Sequence, residues 1–296
     1  MQTWTQEPMD YTRLTQKIKE LEQGFPWLKV ISLGKSLLGK ELFALDFRPA
    51  FSQCSKKPLL MAGAFHGMEW ITAALLLEFT QSVCLSIENG RFPMDRGLVV
   101  APCINPDGVD IQIHGTQAAG RFQTLVETSS GGDTQHWQAN ARGVDINHNF
   151  DAEWCTLRNM EIESGITHPG PTRFGGRYPE SEPESHCLAQ FCRCHDFAMA
   201  LALHSQGEEI YYEFGDCTPA NAYALAEAFA QVSGYEVSAP SGLASYGGFK
   251  DWFISYFRRP AFTIEVGKGV NPLPISQFFS IYEKVEPLLY TALQAD

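Results

Sequence analysis

Basic residues are scarce in this chain: 22 Lys and Arg stand against 34 Asp and Glu, for a formal net charge of −12. Nucleic acids and anionic membranes need a basic face to displace counterions or to meet lipid headgroups, so neither is expected as a partner. Also lacking is an uninterrupted apolar run of about 18 residues, the length that crosses a bilayer. Met1 to Asp10 contains no basic stretch leading into an apolar one. No export signal or membrane span is therefore expected, and the location implied is cytoplasmic. Internal repeats and low-complexity linkers are missing too, which leaves a single domain, 1–296, as the expected organisation. Eight cysteines are present; several sit inside apolar runs, where the thiol acts as a small hydrophobe, and all are expected to be reduced. Cys187, Cys192, Cys194 and His195 lie close in sequence, but their spacing matches no common zinc module.

With 44% apolar and 19% charged residues, the chain has the composition of a globular domain rather than a disordered or coiled-coil one. Tyr11 to Glu22 is amphipathic, and the β-rich stretches Lys29 to Ser36 and Glu41 to Phe47 flank a turn at Gly39. Pro58 to Phe65 is almost wholly apolar, the pattern of a strand buried on both faces, and Glu69 to Thr80 follows as a helix. Further apolar runs at Gly97 to Ile104, Phe197 to Leu203 and Ala261 to Val266 alternate with helical stretches at about 182–195, 219–233 and 275–294. Such alternation predicts an α/β fold with a largely parallel, helix-covered sheet. Two polar segments, Gly108 to Gly143 and Glu163 to Pro183, show little periodicity and read as long, functional loops.

Chemistry gathers at the strand ends. His66 follows one buried strand, with Glu69 three residues on, and His204 follows another. Loops converge at strand ends in open α/β sheets, so these are places where ligands bind. Two imidazoles and one carboxylate leave a fourth metal position for water, which is a catalytic rather than a structural zinc set. Each motif alone has a plainer explanation: a surface histidine before a helix N-terminal glutamate, or a strand-end histidine. Glu265 lies within the apolar strand Ala261 to Val266, where an unpaired charge is costly. Beside a metal-activated water it would serve as general base and acid; otherwise it would be one half of a core ion pair.

Taken together, His66-x-x-Glu69, Asn105-Pro-Asp-Gly108, Gly143-Val-Asp-Ile-Asn147-His-Asn-Phe150, His204-Ser205, Gly247-Gly-x-x-Asp-Trp252 and Thr263-Ile-Glu-Val266 resemble the zinc carboxypeptidase family over most of the chain. The resemblance implies a single-domain α/β/α sandwich with a mixed, twisted sheet of about eight strands. It also implies one Zn2+ per chain on His66, Glu69 and His204, Glu265 as general base, and Asn147 as a holder of the substrate's terminal carboxylate. The departures carry information of their own. An arginine expected after Asn147 is His148, and a neutral or singly protonated imidazole cannot form the two-pronged guanidinium–carboxylate pair. The arginine expected to polarise the scissile carbonyl falls on Gln138, with Arg142 nearby as the other candidate. A capping tyrosine falls on Leu243, with Tyr246 three residues later. Lys250 occupies the base of the side-chain pocket, where a cation would favour a second carboxylate on the residue after the scissile bond.

His204 to Tyr212 and Gly247 to Phe253 look most like the γ-D-glutamyl-diaminopimelate peptidase branch, which implies a small murein-derived peptide as substrate; Glu208 and Glu209 would suit its extra amine. Two other readings stay open: a metallocarboxypeptidase for acidic C-terminal residues, and a catalytically silent zinc-holding peptide binder. The oligomeric state is not legible in the sequence.

Overall fold

The computed structural model describes residues 7–47, 56–90 and 96–295; Cys54 lies outside them. Helix α1 (Tyr11–Gly24) starts at Asp10, whose carboxylate accepts the Arg13 N–H at 2.8 Å, a cap worth about 1 kcal/mol. The hairpin β1 (Lys29–Lys35) and β2 (Glu41–Asp46) follows. Next come β3 (Lys56–Gly63), α2 (Trp70–Glu88), β4 (Arg96–Ala101), α3 (Pro106–His114), α4 (Gln123–Ser130), α5 (Trp154–Glu163) and α6 (Pro183–Cys194). The chain continues through β5 (Met199–His204), β6 (Glu209–Tyr211), α7 (Ala222–Ser233), β7 (Glu236–Ser238), α8 (Phe249–Phe257), β8 (Ala261–Glu265) and α9 (Phe278–Gln294).

Eight strands form one sheet in the order β1-β2-β4-β3-β5-β8-β6-β7. The centre is parallel, β4 with β3, β3 with β5 and β5 with β8, as the alternating pattern predicts. The sheet is nevertheless mixed, because β1–β2, β2–β4 and β6–β8 are antiparallel. A hairpin joined by a few residues can only pair antiparallel, and the short β6 returns directly beside β8.

Strand alternation sorts the core into two layers. Leu59, Met61, Leu201, Leu203, Phe262 and Ile264 face α1, α2, α7 and α9, and this layer is filled by large aliphatic side chains. Ala44, Ala62, Ala101, Ala200, Ala202 and Ala261 face the other way, and the room they leave is filled by Phe249, Trp252 and Phe253 of α8 with Leu188 and Ala189 of α6. Helix α2 with the turn before it, Gly67–Glu88, is long and apolar enough to cross a membrane, but 67% of its most apolar 18-residue window is buried inside the protein. It serves as a core helix.

Helix α4 and most of α3 lie in Gly108 to Gly143, which reads from sequence as a loop, and α5 lies where no element was expected. A small third cluster accounts for α3 and α4: Ile111, Ala119, Val126, Trp137, Ala139 and Ala141 pack together, so tertiary burial outweighs weak local propensity. The seven described cysteines are free. Cys187, Cys192, Cys194 and His195 do not converge; Cys192 is core, while Cys194 is exposed.

Candidate active site

β3, β5 and β8 end side by side, and the polar residues found there follow from register. His204 pairs with Glu265 across β5 and β8, and Gly63 pairs with Leu203 across β3 and β5. By alternation His204 and Glu265 lie on the alanine-lined face, where Phe65 stacks on the His204 ring at 5.1 Å. The turn from β3 into α2 is pinned by Thr72, whose hydroxyl accepts the Ala64 N–H at 2.7 Å and donates to the Glu69 carbonyl at 2.8 Å. Gly67 in this turn admits no side chain, because one would overlap the carbonyl oxygens of Gly108 and Trp137. Asn105 ties the turn to the next loop: its amide donates to the carbonyls of Phe65 and Gln138, and its oxygen caps α3 through the Gly108 N–H.

His66, Glu69 and His204 offer one ligand atom each, all within 4.8 Å of one another. His66 Nδ1 is 2.8 Å from Glu69 Oε1, and His204 Nδ1 is 3.0 Å from Glu69 Oε2. On the far side of its ring, His66 Nε2 is 3.0 Å from Asp145 Oδ1. A buried carboxylate only accepts, so Asp145 fixes the proton on Nε2. The Nδ1 lone pair then faces another acceptor, the Glu69 oxygen, and such a pair needs a cation between its members. Two imidazole nitrogens and a carboxylate are the donor set that suits zinc. Among the described residues no other such group of three is found.

The electrostatics agree. Burial would raise the Glu69 carboxyl, but His66 and His204 outweigh it and hold it down to about 2. Burial would lower His66, yet Glu69 and Asp145 keep it well above its ordinary value, so with no ion bound a second proton on Nδ1 takes the place of that cation, and a metal ion would have to displace it. Glu265 goes the other way: burial and then the charge of Glu69 push it well above the usual carboxylate range, with Glu209 adding and His66 opposing. A carboxyl with that affinity for a proton is suited to taking one and handing it on.

A cavity of about 300 Å³ opens over these residues, lined among others by His66, Gln138, His204, Tyr246 and Glu265. Gln138 belongs to its wall, and its side-chain oxygen accepts from the Thr172 hydroxyl, which leaves the amide N–H groups to be offered. Arg142 is not brought in: its Nη2 is 2.8 Å from the buried Glu182 carboxylate and also reaches the Ser181 carbonyl, so the guanidinium is spent on structure. Asn147 lines the cavity, with its oxygen committed to the Phe249 N–H at 3.0 Å. His148 also lines it; Nδ1 donates to the Arg173 carbonyl at 3.1 Å and lies 3.0 Å from Glu161. Burial opposes its charge, but Asp145 and Glu161 hold its pKa above the ordinary value. Leu243 and Tyr246 both reach the wall. Lys250 does too, almost wholly buried, with its ammonium bonded to the Glu213 carbonyl at 2.6 Å and to Asp251. Glu208 faces elsewhere, paired with Lys268 and Lys284, while Glu209 accepts from the Tyr211 hydroxyl.

Asp145 has a positional role that sequence reasoning left unassigned. Its Oδ1 also accepts the Asn147 N–H and its Oδ2 the Arg173 N–H, at 3.1 and 3.0 Å. Its partners hold the carboxyl well below the usual range despite burial. A metal-binding histidine nearly always gives its second N–H to a carboxylate or carbonyl, so the Asp within Gly143-Val-Asp-Ile-Asn147 was the place to look for it.

Residues 14–286 match the family model described as zinc carboxypeptidase. Over 290 residues the chain is 34% identical to the gamma-D-glutamyl-L-diamino acid endopeptidase 1 of Lysinibacillus sphaericus, covering 94% of this chain and 70% of that protein. Among solved structures it resembles the carboxypeptidase A of Helicoverpa armigera, with a TM-score of 0.75, 23% identity, and 98% and 75% of the two chains covered. It also resembles the murein-tripeptide amidase MpaA of Escherichia coli O157, with a TM-score of 0.56, 20% identity, and 90% and 92% covered. The chain therefore belongs to the zinc carboxypeptidase family, and it is a zinc metallopeptidase whose His66, Glu69 and His204 form a donor set fit for the family's single metal ion.

Proposed function

We propose that this peptidase hydrolyses the amide between the γ-carboxyl of a D-glutamyl residue and a diamino acid such as diaminopimelate, in peptides derived from murein. The observation that carries this is the cavity wall. Where a C-terminal carboxypeptidase would present an arginine after Asn147, this chain presents His148, anchored to Glu161, while Lys250 and Arg173 line the same space. A wall with N–H donors from Lys250, Arg173 and Asn147, without that terminal clamp, suits a substrate with more than one carboxylate near the scissile bond. The similarity to an endopeptidase named for the γ-D-glutamyl-L-diamino acid linkage points the same way.

When bound by His66, Glu69 and His204, zinc would supply Lewis acidity and a water acidified toward neutral pH. Glu265 takes the proton from the attacking water and delivers it to the departing amine. Gln138 offers amide N–H groups to the carbonyl oxygen as charge develops on it. Asn147, its oxygen held by Phe249, likewise presents N–H groups to the substrate, and Lys250 has one N–H left after its two internal bonds. The free thiols, exposed Cys155 and Cys194 among them, suit a reducing compartment, and recycled murein peptides inside the cell would be the supply.

The test is turnover of L-Ala-γ-D-Glu-meso-diaminopimelate beside a peptide ending in Glu, with zinc-loaded protein and a chelator control. Chelator-sensitive cleavage of the γ-amide alone is expected. Cleavage of the Glu peptide alone would restore a carboxypeptidase for acidic C-termini, and cleavage of neither would make the chain a peptide binder.

A further inference from the structure

Three basic side chains line the cavity beyond the metal ligands, alongside Asp145, Asp251 and Glu265: His148, Arg173 and Lys250. Two of them are engaged by protein acceptors. Lys250 is held by Glu213 and Asp251, and His148 Nδ1 by Glu161 and a carbonyl. Arg173 is different, because its guanidinium makes no hydrogen bond or ion pair among the described residues.

The backbone of Arg173 is nonetheless among the best-fixed parts of the site. Its N–H donates to Asp145 Oδ2 at 3.0 Å, and its carbonyl accepts from His148 Nδ1 at 3.1 Å. Its φ is +64°, a conformation that a residue with a side chain adopts reluctantly and that persists where the surroundings impose it. On one side Thr172 bonds Gln138, and on the other the Phe174 carbonyl accepts the Asp145 N–H at 2.8 Å. The same Asp145 orients His66, so the segment carrying Arg173 is tied to a metal ligand through one carboxylate. A strained, doubly anchored backbone thus holds Arg173 in the lining of the catalytic cavity, exposed and with no protein anion against its guanidinium among the described residues.

We propose that Arg173 grips a substrate carboxylate next to the scissile bond, supplying from another loop the guanidinium that is missing where His148 stands. This rests on the γ-glutamyl reading above for its source of carboxylates. A γ-linked glutamyl residue keeps its α-carboxylate free, and the diamino acid brings its own; either matches the planar fork of an arginine, which donates two parallel N–H bonds.

The test uses the full chain as wild type, Arg173→Ala and Arg173→Lys, on three peptides. These are L-Ala-γ-D-Glu-meso-diaminopimelate, the same peptide amidated at the glutamyl α-carboxylate, and the same peptide amidated at the diamino acid α-carboxylate. Zinc content and the ratios of kcat/KM between free acid and amide are read for each protein. The wild type is expected to prefer the free acid over one of the amides by at least about tenfold. Arg173→Ala should erase that preference with zinc retained, and Arg173→Lys should restore part of it; the amide concerned identifies the carboxylate. An equal loss on all three peptides, with the preference intact, would reduce Arg173 to a shaper of the wall and overturn the proposal. Should the wild type leave every γ-amide uncut, the γ-glutamyl reading fails separately. The same proteins on a C-terminal Glu peptide and its amide then decide: a preference lost in Arg173→Ala sustains the carboxylate grip, and an unchanged one overturns it.

Discussion

The metal-binding set and the substrate wall share one cavity but are built differently. His204 and Glu265 are neighbours by strand register, and His66 and Glu69 leave a third parallel strand through a turn locked by Thr72. Gln138, Asn147, His148, Arg173 and Tyr246 come instead from loops and one short 3-10 turn, the first four tied to distant segments by hydrogen bonds. Reactive atoms need placement to a fraction of an ångström, which a sheet provides. Loops can change side chains without disturbing that placement, and Gln138 and His148, the positions read from sequence as departures from the family pattern, both lie in the wall.

The comparison can be broken at the triad with the largest effect. His204→Ala should abolish turnover and leave the purified protein without stoichiometric zinc, as measured by metal analysis; full zinc content in that variant would place the ion elsewhere. An intermediate effect is expected at the joint between the two regions. Asp145→Asn keeps the shape but weakens the orientation of His66 and the anchor of Arg173, so zinc affinity or kcat/KM should fall by about 10–100-fold. An unchanged zinc titration and rate would deny it that role. The smallest effect on catalysis belongs to Arg142. Its partner Glu182 is buried, so Arg142→Ala should cost about 1–2 kcal/mol in chemical denaturation while kcat/KM stays within about twofold. A large loss of rate at unchanged stability would bring Arg142 back as the group that polarises the carbonyl.

What the sequence made legible follows the same division. Buried parallel strands announce themselves as apolar runs, so the ends of β3 and β5 and the metal residues upon them could be read directly, and Glu265 stood out as a carboxylate in an apolar strand. The parallel centre was legible too, and so was the β1–β2 hairpin about Gly39, but the short strands β6 and β7 were not, because three residues are too few to show a period. Helices α3 and α4 escaped notice because each is short and is anchored by few apolar residues, Ile111 and Val126 in a cluster with Trp137, rather than by a long apolar stripe. Arg173 was hidden in a glycine- and proline-rich segment where an arginine has no distinguishing pattern. Its significance depends on Asp145 and His148, both more than 20 residues away in sequence. Gln138 and Arg142 could not be separated by spacing alone, since only the fold shows that Arg142 is consumed by Glu182.

The most direct measurement is zinc content and turnover of Glu265→Gln, made on one preparation with the γ-D-glutamyl-diaminopimelate peptide. Glu265 is not among the three ligand-bearing residues, and only its proton-accepting oxygen is replaced. One zinc per chain is expected, with kcat/KM reduced by about 10²–10⁴-fold. Loss of the metal, or a rate close to that of the wild type, would contradict the division between metal-holding and proton-transferring groups on which the account rests.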